Sequence, residues 1–381
     1  MNELNFFTLA TFVLSLLIGW MVIPQIVLIS KKKRLFDVLS DRKSHSGQVP
    51  RLGGVSFAPT MLLSLCFFIG LRYATGFGID TSLEVSVFKD LMFLISGVML
   101  LFFIGIADDL SELSYRIKLL AQLIAASFII FTDNYITSLG GLFGIYGIPD
   151  FVGILLTILL IVFLTNAYNL IDGIDGLCSG LAMLTLLFFV WWFVWTKMYV
   201  YAMIAAAMLG VIVPFFYFNV GNKSLKIFMG DTGSLTLGYV LAVLGLKFYN
   251  MNTGDHSFIG GFEAAPAILL GVMFIPAFDT LRVFFERLSH GLSPFHPDKR
   301  HIHHKLLDLG FSHMHGTLTI IAVQALFILF NLLCRHMNPT LLFIINLSMG
   351  IIIMAWLNVL LKRKKKNSPV KIKTVKTAGN K

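Results

Sequence analysis

Mostly apolar stretches of 15 to 24 residues recur eleven times along this chain, and they leave few ways to fold it. They cover 6–29, 55–71, 91–107, 117–131, 151–168, 177–195, 198–218, 235–249, 267–285, 317–333 and 341–361. A bilayer core asks for roughly 17–25 apolar residues per helix, and within it only helices or closed barrels satisfy their own backbone groups. Apolar runs of this length predict an all-α polytopic membrane protein of about eleven transmembrane helices. Charge agrees: 13% of residues are charged, where a soluble domain carries about a quarter. One membrane domain over 1–361 and a basic, disordered tail over 362–381 are expected.

The net charge of +10 is concentrated at Lys31–Arg34, Arg42–Lys43, Lys299–Arg300 and Lys362–Lys366. Beside apolar spans such runs act as cytoplasmic anchors, not as a nucleic-acid surface. They predict cytoplasmic loops at 30–54, 108–116, 169–176, 219–234 and 286–316, with the N-terminus outside and the C-terminus cytoplasmic. The Gly-rich stretch 139–148 reads as a turn or short hairpin on the outer side. Cys66, Cys178 and Cys334 are widely separated and form no CxxC spacing, which excludes a disulfide framework or thiolate metal site. The first apolar run follows an acidic start and lacks a basic n-region, so it reads as a retained helix.

Four polar clusters fall on the expected cytoplasmic loops. Asp108 and Asp109 end the third span, ahead of Arg116 and Lys118; adjacent carboxylates suit a divalent cation or a base, or else Asp109 or Ser111 simply caps the next helix. Asn166, Asn169, Asp172 and Asp175 recur every three residues, near one face of a helix if the segment is helical, with Gly173 and Gly176 permitting close approach or a break. Phe228-Met-Gly-Asp231-Thr-Gly-Ser opens a helix, where backbone N–H groups suit an anion and Asp231 a metal. His296-Pro-Asp298-Lys299-Arg300-His301-Ile-His303-His304-Lys305 suits a polyphosphate better than zinc, although both readings stand. Ion-coupled transport is disfavoured, because the carboxylates gather at one face without repeated halves.

In order and spacing, Asp108-Asp109, Asn169-Leu-Ile-Asp172-Gly-Ile-Asp175-Gly, Phe228-Met-Gly-Asp231 and His301-Ile-His303-His304 resemble the polyprenyl-phosphate N-acetylhexosamine-1-phosphate transferases. The first loop, Asp41-Arg-Lys-Ser-His45 through Pro50-Arg51-Leu-Gly53-Gly54, matches as well. The His-x-His-His form is similar to the WecA-type branch, which uses UDP-GlcNAc, and departs from the lipid I branch with its three consecutive histidines. The resemblance implies an enzyme of the bacterial inner membrane with its site facing the cytoplasm. It would move GlcNAc-1-phosphate from UDP-GlcNAc to undecaprenyl phosphate, releasing UMP, as the first lipid-linked step of an O-antigen or related glycan. UDP-FucNAc, UDP-QuiNAc and UDP-MurNAc-pentapeptide are the alternative donors.

Carried over by residue, the resemblance gives Asn169 and Asp231 to Mg²⁺ (or Mn²⁺) and Asp108 to the lipid phosphate. Asp109, Asp172 and Lys118 would organise the metal–phosphate site. Asp175 and Asn219 would contact uracil beside a stacking Phe228, and Arg300, His301, His303 and His304 would grip sugar and diphosphate. Arg51 and Asn166 complete the substrate-binding set. The expected partners are the two substrates and membrane lipid, with no nucleic acid; a homodimer is compatible with the sequence. One phosphoanhydride replaces another, so the protein's task is positioning and charge neutralisation.

Overall fold

The structure is a computed structural model that describes residues 3–35, 49–76, 81–221, 224–253, 261–292 and 300–367. It is all-α and polytopic, apart from one small hairpin among the described residues. Each expected apolar stretch falls on helix: α1 (Glu3–Lys32), α2 (Phe57–Thr75), α3 (Thr81–Ser111), α4 (Tyr115–Ile130), α5 (Asp150–Ile171), α6 (Leu177–Trp195), α7 (Tyr199–Val220), α8 (Gly230–Thr253), the pair α9 (Ala265–Val272) and α10 (Phe274–Ser289), then α12 (His313–Leu333) and α13 (Pro339–Asn367). A short α11 (Ile302–Asp308) lies between the last two groups. Among the described residues nine helices are long and apolar enough to cross a membrane, and a tenth span exists if α9 and α10 count together. The remaining expected span, α4, has 16 residues and so reaches about 24 Å, short of the roughly 30 Å hydrocarbon core.

The stretch 267–285, expected as one straight span, is instead two helices meeting at 87°. Pro276 explains the break. Its ring would collide with the carbonyl four residues back, that of Val272, where α9 ends. Gln324 on α12 repairs the ladder, donating to the carbonyls of Gly271 (2.9 Å) and Val272 (2.8 Å) and accepting from the amide of Ile275 (2.9 Å). The basic run Lys362–Lys366, expected in a disordered tail, continues α13 to Asn367. Lysine is a good helix former, and positive charge in a last turn suits the helix dipole. Residues 368–381 of that tail lie outside the described residues. The hairpin expected over 139–148 is present as β1 (Ser138–Leu142) paired antiparallel with β2 (Ile145–Gly147).

α8 forms the centre. It has the lowest mean hydropathy of the nine candidate spans, 1.2, yet 94% of its apolar window is buried, chiefly against α3 and α5. α1 shows the opposite, with hydropathy 2.4 and 22% buried. In lipid, helices facing the tails need apolar surface, whereas an enclosed helix needs small residues that let backbones approach. α8 accordingly carries Ser234 and Thr236, whose hydroxyls return to the carbonyls of Gly230 (3.0 Å) and Thr232 (2.7 Å).

At the end of α8 remote from Asp231, Lys247 pairs with Asp90 of α3 at 2.9 Å and lies 4.8 Å from the ring centroid of Tyr201, whose hydroxyl also donates to Asp90. This buried group fixes the register of α3 against α8. Removing one member leaves an uncompensated charge, so Lys247→Met should cost about 3–5 kcal/mol of apparent stability. The double variant D90N/K247M should regain part of that loss in detergent unfolding experiments. A single variant as stable as the parent would refute the pinning role.

Candidate functional site

The site begins where two distant segments meet through backbone hydrogen bonds. The amide of Phe228 donates to the carbonyl of Pro50 (2.8 Å), and the amides of Gly53 and Gly54 donate to the carbonyls of Phe228 and Met229 (2.9 Å each). Gly54 permits this approach: a Cβ there would strike the backbone of Gly233. Arg51 is thereby brought beside the start of α8, where its carbonyl lies against Gly230. The rest of that first loop, from Asp41 to Gln48, lies outside the described residues.

Asp108 and Asp109 are neighbours on α3, so their side chains diverge by about 100° and do different things. Asp109 faces α8. Its carboxylate accepts from the amides of Asp231 (2.8 Å) and Thr232 (3.0 Å) and from the Thr232 hydroxyl (2.6 Å). It is a helix cap supplied from another helix. The capping alternative raised for Asp109 was therefore right in kind and wrong in target, since the capped helix is α8 and not the following α4. Two amides expected to greet an anion at this helix start are already engaged by Asp109.

Asp108 turns the other way. It accepts from the amide of Leu113 (2.8 Å) and from the ammonium of Lys118 (3.1 Å), which also contacts Asp231 at 2.7 Å. Asn169 on α5 donates to the second oxygen of Asp231 (3.0 Å) and to the hydroxyl of Ser234 (2.8 Å). Side chains from α3, α4, α5 and α8 thus converge on one position where two carboxylates already surround a positive charge. Hard oxygen donors of this kind, Asp108, Asp231 and the amide oxygen of Asn169, fit Mg²⁺ or Mn²⁺ better than a softer ion.

The four residues spaced by three do not share one face. α5 ends at Ile171, and Asp172 leaves the helix with ψ 53°. Asn166, one turn inside Asn169, is paired with Gln122 of α4 through both amide groups. Asp175 pairs with Lys226 at 2.6 Å, and the same ammonium lies 5.6 Å from the ring centroid of Phe228. Asn219 is buried, accepting from the amide of Gly176 (2.6 Å) and donating to the carbonyl of Ile227 (2.8 Å). Its side chain ties the Asp172–Gly176 turn to the segment before Phe228.

The histidine segment closes the site from another side. His301 is buried and bonded through Nδ1 to Asp279 of α10 at 2.8 Å. Arg282 binds Asp279 (2.7 Å) and the carbonyl of Arg300 (2.7 Å), while Arg300 lies 3.7 Å from Glu286. His303 is buried beside Gly173, where any Cβ would strike its Nε2. Among the described residues neither ring nitrogen of His303 has a hydrogen-bond partner. Burial, then the neighbouring charge of His304, pushes its pKa down to about 3, so the ring is neutral and offers one donor and one acceptor. The His304 ring lies 4.2 Å from that of His303, tilted by 44°. Among the described residues no group of three or more His, Cys, Asp and Glu side chains is placed to hold a metal. His296, Asp298 and Lys299 lie outside the described residues.

Residues that sequence reasoning missed are Asp279, Arg282 and Glu286 of α10, Lys226, and Gln122. A signal existed for Asp279 and Arg282, because charges three residues apart inside an apolar stretch mark a buried polar face.

The sequence model of glycosyl transferase family 4 matches residues 91–249, which hold Asp108 through Asp231. A Salmonella typhi protein named undecaprenyl-phosphate alpha-N-acetylglucosaminyl 1-phosphate transferase is 30% identical over 289 residues, 73% of this chain and 70% of its own. This chain belongs to glycosyl transferase family 4. The Escherichia coli K12 protein of the same name is 28% identical over 78% of this chain and 76% of its own. A Bacillus subtilis protein described as a probable undecaprenyl-phosphate N-acetylglucosaminyl 1-phosphate transferase is 29% identical over 83% and 82%. The chain is thus an enzyme, a membrane transferase, and the matched segment carries the carboxylates just described.

Asp172 gives this family 4 site a measurable pH dependence. It is an exposed residue of the turn after α5. Desolvation of its carboxyl, then the negative charges of Asp231, Asp175 and Asp109, push its pKa up to about 7 against the opposing pull of Arg51. The folded protein then holds a proton that the unfolded chain has already released. Stability from this group is present below the unfolded pKa and is lost as pH rises through about 7. In EDTA, the unfolding temperature of Asp172→Asn relative to the parent should therefore rise between pH 5.5 and 8. A difference that stays flat across that range would contradict the assignment.

Proposed function

We propose that this enzyme transfers GlcNAc-1-phosphate from UDP-GlcNAc to undecaprenyl phosphate, releasing UMP, at the cytoplasmic face of the bacterial inner membrane. The convergence of Asp108 and Asp231 on Lys118 carries the reading, because it builds a site for cation and phosphate at the mouth of a membrane bundle. The names of the relatives supply the substrates. The basic runs next to this end of the bundle support the cytoplasmic orientation.

Asp231 and Asn169 would hold Mg²⁺ or Mn²⁺, with Asp108 within reach of the same position. When bound, the ion neutralises diphosphate charge and eases departure of UMP. Lys118 holds the carboxylates together and supplies positive charge to incoming phosphate. Asp108 meets the lipid phosphate, as its base or beside the cation. Asp109 acts by fixing the start of α8, and so the position of Asp231. Asp172 faces the metal–phosphate site from the turn after α5. Asp175 and Phe228, linked through Lys226, form the wall for uracil, and Asn219 keeps that wall in place. Arg51, Arg300, His301, His303 and His304 face the sugar and diphosphate, with neutral His303 serving as a hydrogen-bonding group and not as a charge. Asn166 braces α5 against α4 through Gln122.

Protein in detergent, given undecaprenyl phosphate, Mg²⁺ and radiolabelled UDP-GlcNAc, should move label into the lipid phase with one UMP per lipid product. Transfer only from UDP-FucNAc, UDP-QuiNAc or UDP-MurNAc-pentapeptide would replace the donor and keep the chemistry. No transfer from any of them by folded protein would defeat the proposal. EDTA should silence the reaction, with rescue by Mg²⁺ or Mn²⁺. Asp231→Asn should lower turnover on the order of 10³-fold with its unfolding temperature nearly unchanged; near-normal turnover would remove Asp231 from the site.

A further inference from the structure

One buried carboxylate holds the whole approach to the histidine segment. Asp279 is 2% exposed on α10, and its two oxygens serve three donors. Oδ2 accepts from Nδ1 of His301 at 2.8 Å, and the amide of Ile302 lies 3.2 Å from Oδ1 and 3.1 Å from Oδ2. Arg282, one turn along α10, binds Oδ1 at 2.7 Å and also donates to the carbonyl of Arg300 at 2.7 Å. Residues 300, 301 and 302 are therefore each tied to α10. The His301 ring lies parallel to that of His303, 5.9 Å away at 3°, and His303 presses on Gly173 next to Asp172. A mechanical line runs from Asp279 through His301 and His303 to the turn that follows α5.

The chemistry of the contact is more specific than packing. A carboxylate can only accept, so the nitrogen of His301 that faces Asp279 carries a proton in either charge state of the ring. Nε2 is the nitrogen left for other partners, and its lone pair or proton is set by the state of the ring. The amide of an asparagine has nearly the same shape but one accepting oxygen for three donors. It offers an N–H where the carboxylate accepts, and so favours the opposite tautomer.

We propose that Asp279 is a positioning residue of the transfer reaction, acting through His301, whose tautomer it fixes and whose ring backs His303 against Gly173. This rests on the reading that the segment 300–304 faces the donor substrate. Its role parallels that of Asp109, since each carboxylate accepts from backbone amides in the first turn of a helix other than its own.

The test compares full-length parent, Asp279→Asn, Asp279→Glu, His301→Gln and the double variant D279N/H301Q in the detergent assay. Asp279→Asn should lower kcat at least about tenfold, as loss of an orienting partner commonly does, with KM for undecaprenyl phosphate within about twofold of the parent. D279N/H301Q should lose little beyond H301Q alone, because the two act as one unit. Asp279→Glu keeps an accepting carboxylate and should retain more turnover than Asp279→Asn. It also stands in for that variant, in the same cycle with His301→Gln, should Asp279→Asn not fold. Hydrogen exchange over 300–308 should quicken in Asp279→Asn or, if that variant does not fold, in Asp279→Glu, a readout that needs no turnover. Turnover of Asp279→Asn within twofold of the parent, fully multiplied losses in the double variant, or unchanged exchange would overturn the inference. A parent that transfers no UDP-sugar fails the functional reading instead, which separates the two outcomes.

Discussion

The first turn of α8 lies at the membrane boundary, and its free amides have to find acceptors there. An unsatisfied amide in a weakly hydrated place costs about 1–3 kcal/mol. Asp109 takes two of them and the Thr232 hydroxyl as well, which joins α3 to α8 at the point where Asp231 emerges. The other parts of the site depend on this joint. Gly54 and Gly53 pack against the same turn, Lys118 bridges Asp108 to Asp231, and Asn169 reaches Asp231 from α5.

Two families of interaction with different purposes occupy the same small volume. Asp109, Asp279, Asn219 and Gln324 each bond backbone groups, and each holds a break or a helix end where the chain leaves regular geometry. Asp108 and Asp231 share one lysine, and Asp172 stands in the negative field of Asp231, an arrangement that like charges resist until a cation offsets them. The first family makes the second possible, because carboxylates held close in this way need a scaffold that does not relax.

Much of the fold was legible because bilayer physics is written in long apolar runs. All eleven stretches coincide with helix, and the Gly-rich outer hairpin was recognisable from its turn residues. The break between α9 and α10 was also written, in Pro276, but an apolar run conceals it when only length is counted. Lys362–Lys366 shows a similar limit: composition suggested a solvated tail, while lysine continues a helix readily once α13 is formed.

For the site, the sequence by itself determined which residue types gather at one end of the bundle. Membrane insertion is costly for charge, so Asp108, Asp172, Asp231 and the histidines had to lie near span ends. Tertiary structure alone decided what each one does. Asp108 and Asp109 are adjacent in sequence and opposite in role, because a helix turns by about 100° per residue and different partners stand on its two sides. The regular spacing from Asn166 to Asp175 implied a shared face, yet α5 ends at Ile171 and sends the last two residues elsewhere. Asp279 showed in the sequence only as a charge within an apolar stretch, since its role comes from His301, which lies 22 residues away in the chain and 2.8 Å away in space.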